Sequence, residues 1–79
     1  MIVKNKLYKL IYSSTGCWNF HNNLEGFEIK INTIILFLTD FSITRERFYE
    51  FKALVNGRVM KSVLNSTEYD NFSKYFEKL

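Results

Sequence analysis

Residues 44–64 read TRERFYEFKALVNGRVMKSVL, and two folds compete for them. Val55-Asn56-Gly57-Arg58 has the form of a type I′ hairpin turn, which would pair residues 48–55 with residues 58–64. That register sets Lys52 opposite Lys61, an unfavourable like-charge pairing. The competing reading starts a helix near Ser42 or Thr44 and stripes it with Phe48, Phe51 and Val55. It ends that helix at Gly57, the residue after the C-cap. Arg, Glu, Lys, Ala and Leu are good helix formers, so the helix is favoured, with Val59 to Val63 left as a short strand. The two readings expose different surfaces.

On the C-terminal side, Tyr69, Phe72, Phe76 and Leu79 fall at i, i+3, i+7 and i+10, one stripe of an α-helix. Asp70 and Lys74 form a favourable i,i+4 pair on its other side. Asn65 suits the N-cap with Glu68 three residues on, and Leu64 and Tyr69 occupy the two positions of a hydrophobic staple.

The N-terminal half reads as strands. Lys6 to Tyr12 is β-branched and aromatic with partial alternation, and it ends in the polar cluster Ser13-Ser14-Thr15-Gly16. Cys17 to His21 alternates, with Trp18 and Phe20 on one side, and suits a short return strand. Phe27 to Ile31 alternates again as a half-buried strand. Ile34 to Leu38 is a continuous apolar run suited to a central strand covered on both faces. Asn32-Thr33 between them is a tight turn or a bulge. The expected fold is therefore α+β: a small antiparallel sheet of three to five strands, packed against the C-terminal helix and one further helix.

The chain has 79 residues, which allows a single domain spanning 1–79. A domain of this size buries only about 60% of its unfolded surface, so its core must be efficient. Eight Phe, five Tyr and one Trp are the means, each burying on the order of 150–250 Å² when packed. Phe, Tyr, Met, Ile, Asn and Lys supply 38 residues, whereas Gly, Ala, Arg and Pro supply seven. Their codons point to an AT-rich genome, such as that of a phage or another mobile element. The most apolar run is far shorter than the roughly 20 residues that span a bilayer. Lys9 also interrupts the stretch a signal peptide would need. A cytoplasmic location is expected (the host cytoplasm for a phage protein), with Cys17 reduced and no membrane partner.

Little of the sequence suits catalysis. Cys17 is the only soft nucleophile and His21 the only base that titrates near neutral pH. In a strand they lie about 13 Å apart, at about 3.3 Å per residue, beyond the reach of a dyad. One Cys and one His do not make a classical zinc site, and three isolated glycines do not make a phosphate loop. No enzyme activity, metal or cofactor is expected.

Charge is more informative. The formal net charge of +3 belongs to residues 1–24, which carry Lys4, Lys6 and Lys9 and no acid; residues 25–79 hold eight basic and eight acidic side chains. The same segment carries Tyr8, Tyr12, Trp18, Phe20 and His21. Trp18 and Phe20 are either core or an exposed patch. Lys4, Lys6, Tyr8, Lys9, Trp18 and His21 are the candidate partner-binding residues. Lysines among aromatics suit docking to an acidic protein surface, and also phosphate tracking with base stacking. The functional expectation is a small non-enzymatic binding protein of a phage or mobile element. It would act stoichiometrically as inhibitor or regulator of a host protein with an acidic surface, such as a nucleic-acid-handling enzyme. Direct nucleic-acid binding is the alternative, and a homodimer is a further candidate assembly.

Overall fold

The computed structural model describes residues 4–79. In chain order these form β1 (Leu7–Leu10), β2 (Cys17–His21), β3 (Gly26–Lys30), β4 (Ile34–Phe37), β5 (Ser42–Ile43), β6 (Tyr49–Val55) and β7 (Arg58–Leu64), then α1 (Ser66–Asp70), α2 (Phe72–Tyr75) and β8 (Phe76–Lys78). Every strand pairing is antiparallel, in the order β3-β2-β7-β6-β4-β1-β8, with β5 added on β6. The expected α+β fold of three to five strands under two helices is thus replaced by one large, curled half-barrel sheet with two short helices.

The hairpin takes residues 44–64. Asn56 and Gly57 both have positive φ, 51° and 80°, as a type I′ turn requires. The favoured helix fails at its start, because Arg47 is left-handed at φ 64°. Arg47 N–H donates to the Thr44 carbonyl and Phe48 N–H to Thr44 Oγ1, closing a turn that folds β5 onto β6. Phe51 and Val55 fitted both readings because a separation of four lies on one face at either period. Ala53 decides between them. It is buried with Phe51 and Val55, while Lys52 and Leu54 point outward, so the period is two.

The C-terminal stripe changes period midway. Asn65 caps α1, and both bonds of the capping box with Glu68 form. The helical run then stops at Phe76, which is extended at φ −127° and ψ 127° and pairs with Leu10 across β8 and β1. Phe76 is buried, but Leu79, three residues later, falls on the opposite face of an extended chain and is 55% exposed. The single helix expected through Leu79 is therefore two short helices and a strand.

Residues 7–21 and 26–37 form the two arms of one bent hairpin. Lys9 faces Ile34 at its base and Cys17 faces Lys30 nearer its tip. Residues 11–15 bulge between, while Leu10 N–H donates to the Thr33 carbonyl and Asn32 N–H to the Leu10 carbonyl. Cys17–His21 therefore continues the first arm instead of returning along it. β4 is central, between β6 and β1, but covered on one face only. Ile35 and Phe37 are buried, whereas Ile34 is half exposed.

The concave side holds an aromatic core around Phe37, which is fully buried. Its ring stacks on Phe51 at 4.5 Å and meets Tyr8 at 4.7 Å, with Phe72 and Phe76 edge-on at 5.6 and 6.2 Å. Helices α1 and α2 lie over the opening and contribute Tyr69 and Phe72 to the packing.

Candidate functional site

The six candidate partner-binding residues do not converge. Lys4 and Lys6 are exposed before β1, and Lys9 is half-buried on β1, between Ile34 of β4 and Glu77 of β8. Tyr8 is buried against Phe37 and Phe72. Trp18 is buried too, and its Nε1–H donates to Ser62 Oγ at 2.8 Å, while Ser62 donates in turn to the Asn19 carbonyl. Phe20 is likewise core. The inward side chains of β2 are covered by the core, and Tyr8 and Trp18 offer no ring to a partner. Lys9 and His21 sit on strands separated by β4, β6 and β7.

His21 instead joins two lysines. It is exposed and stands opposite Lys61 of β7, which stands opposite Lys52 of β6. All three alternate with buried neighbours (Phe20, Met60 and Ser62, Phe51 and Ala53), so they share the convex face. Lys52 and Lys61 are a non-hydrogen-bonded pair, the closer kind of cross-strand neighbour. Lys52 turns its backbone to the other side, donating to Thr39 Oγ1 and accepting from Leu38 N–H.

One row along the same face is apolar. Leu7 faces Leu36, Leu36 faces Leu54, and Leu54 faces Val59, a continuous line across β1, β4, β6 and β7. Leu7, Leu54 and Val59 are 47%, 36% and 55% exposed. Leu79 extends the row beside Leu7, to whose carbonyl its N–H donates. At about 4.8 Å between strands the row is on the order of 15–20 Å long, and the basic row lies about 7 Å away, two residues along each strand. The sequence carried the signal for this face only as alternation within β6 and β7. Leu7 and Leu36 enter it through pairings between distant segments.

Concavities line the sheet. A cleft of about 450 Å³ opens over the aromatic core between Tyr8, Phe41, Tyr69 and Phe72, with Asp70 and Lys78 at its edge. A smaller one of about 380 Å³ runs past Cys17, His21, Glu68 and Lys74. Cys17 Sγ–H donates to Glu28 Oε2 at 2.8 Å, so the thiol is turned to the carboxylate of β3. Cys17 and His21 are four residues apart on one strand, in the extended geometry that keeps sulfur and imidazole from meeting. Among the described residues no group of three or more His, Cys, Asp or Glu side chains could hold a metal ion, and no helix is long and apolar enough to cross a membrane.

Compared with protein-family models, curated proteins and solved structures, the chain matches none.

Proposed function

We propose that the chain is a non-enzymatic binding protein that docks the convex face of its sheet onto a protein partner with an acidic surface. The observation that carries this reading is the apolar row Leu7–Leu36–Leu54–Val59, exposed at every member but the half-buried Leu36, lying beside the basic row Lys52–Lys61–His21. An apolar strip supplies contact area once water is expelled, and large exposed apolar patches on small proteins commonly mark interaction sites. The adjacent cations steer an acidic partner and set its orientation. Binding is stoichiometric, as inhibitor or regulator of a host protein, and the AT-rich coding bias suits a phage or mobile-element origin.

A protein partner is favoured over nucleic acid by what lies beside the cations. The members of the neighbouring row are aliphatic, whereas single-stranded nucleic acid needs aromatic rings on which to stack. Tyr8 and Trp18 cannot serve, because both are buried.

The test is capture from a host lysate by the immobilised chain, beside the variants Leu54→Asp and Lys52→Glu/Lys61→Glu. The expected result is one partner retained by the parent chain and lost by both variants. Equal retention by all three would overturn the convex-face reading. Retardation of DNA or RNA at low salt, abolished by the lysine double variant, would instead favour the nucleic-acid alternative.

A further inference from the structure

The sheet ends at β3, whose outer side has no strand partner among the described residues. All five of its residues pair with β2 on the inner side, from Cys17↔Lys30 to His21↔Gly26. The hydrogen-bond phase of that ladder follows from its ends. Asn22 N–H donates to the Glu25 carbonyl, and Ile31 N–H to the Gly16 carbonyl. Odd-numbered residues of β3 therefore turn their backbone groups to β2, and Gly26, Glu28 and Lys30 turn theirs to the open edge. The Lys30 carbonyl takes the Thr33 N–H at 3.1 Å and keeps a second lone pair.

We propose that this edge pairs with the β3 of a second copy of the chain, antiparallel, with Ile29 opposite Ile29. In that register Glu28 and the second copy's Lys30 exchange both backbone hydrogen bonds, and the two-fold axis repeats the exchange, four bonds in all. The same register makes every cross-strand contact favourable. Glu28 meets Lys30 of the second copy twice on the convex face, where both are exposed. On the concave face Ile29 meets Ile29, and Phe27 meets Ile31, two side chains that are only half-buried in one copy. A shift of one hydrogen-bonding step would set Glu28 against Glu28 and lose this complementarity. An alternating strand with an open backbone edge is the surface that strand addition uses. Edge pairing is independent of docking through the convex face, because none of Leu7, Leu54, Lys52 or Lys61 lies on β3.

Sedimentation equilibrium up to millimolar concentration tests the pairing, separating the 9.5 kDa monomer from a species of twice its mass. The expected result is a dimer whose dissociation constant rises by on the order of tenfold in Glu28→Lys and in Lys30→Glu, since each variant turns two attractive pairs repulsive. The double variant Glu28→Lys/Lys30→Glu restores the parent constant. Amide exchange adds a second readout: Glu28 and Lys30 slow as concentration rises, whereas Ile29, already bonded to β2, does not. A monomer throughout, a dimer indifferent to both single variants, or no rescue by the double variant would each overturn the proposal.

Discussion

Lys52 and Lys61 stand directly opposite each other on the convex face, at a position where antiparallel strands bring side chains closest. Neither is needed to fill the core, and their repulsion opposes the hairpin that holds them. Such a breach of a local rule is where a functional constraint is expected. Replacing Lys61 by Glu should stabilise the domain by about 0.2–1 kcal/mol while weakening capture of an acidic partner. Urea unfolding read beside partner retention checks both halves. A variant that loses stability would remove the argument that the pair is strained.

The turn at the tip of that hairpin depends on backbone conformation alone. Gly57 sits at φ +80°, and a Cβ built there would have no atom within 4 Å. Gly57→Ala therefore meets no clash, and its cost is the left-handed backbone, about 1–2 kcal/mol. Asn56→Gly, at φ 51°, should be tolerated far better. Thermal unfolding of the two variants side by side gives the comparison.

Phe37 is the ring on which the aromatic core converges, and Leu79 a residue of the same apolar class left at the surface. Phe37→Ala should cost about 3–5 kcal/mol, a large part of the 5–15 kcal/mol typical of a whole domain. Leu79→Ala should fall within about 0.5 kcal/mol of the parent. Circular dichroism and urea midpoints distinguish them. Comparable losses in the two would mean that the C-terminal residue is packed as the helical stripe predicts.

Trp18 and Ser62 join β2 to β7 through a buried hydrogen bond of 2.8 Å. Ser62→Ala leaves the indole N–H without that acceptor, at a cost of about 1–3 kcal/mol. Trp18→Phe should then be less damaging in the Ser62→Ala background than in the parent, with a coupling of at least about 0.5 kcal/mol. A double-mutant cycle measures it directly. Additive losses would show that the indole finds another partner.

Asn65, by contrast, acts locally. Its side chain accepts the Glu68 N–H at 2.8 Å and Glu68 returns a carboxylate to the Asn65 N–H. Asn65→Ala should cost about 1 kcal/mol, and Asn65→Asp almost nothing. The two melting curves should separate accordingly.

What the sequence determined by itself is what depends on near neighbours. The capping box at Asn65 and Glu68, the span of β2 and, to within one residue, that of β3 were legible, because each is specified within a few residues, whereas the register that sets Lys52 against Lys61 came only with the less favoured of two readings. The tertiary structure decided what depends on distant chain. Phe51 and Val55 satisfy a helix and a strand equally, and only packing of Ala53 in the concave core selects the strand. Phe76 leaves the helical period because β1 offers it a ladder partner in Leu10, and that turns Leu79 outward. The basic segment of residues 1–24 was visible as composition, yet curling of the sheet buries Tyr8 and Trp18 and carries His21 away from Lys9 to Lys61. The apolar row shows the division most clearly. Of Leu7, Leu36, Leu54 and Val59, alternation gives a face only to Leu54 and Val59, within the hairpin, since Leu36 lies in the unbroken apolar run Ile34 to Leu38. Only pairing between strands remote in sequence brings the four into line, because register between such strands is set by how the shared core packs.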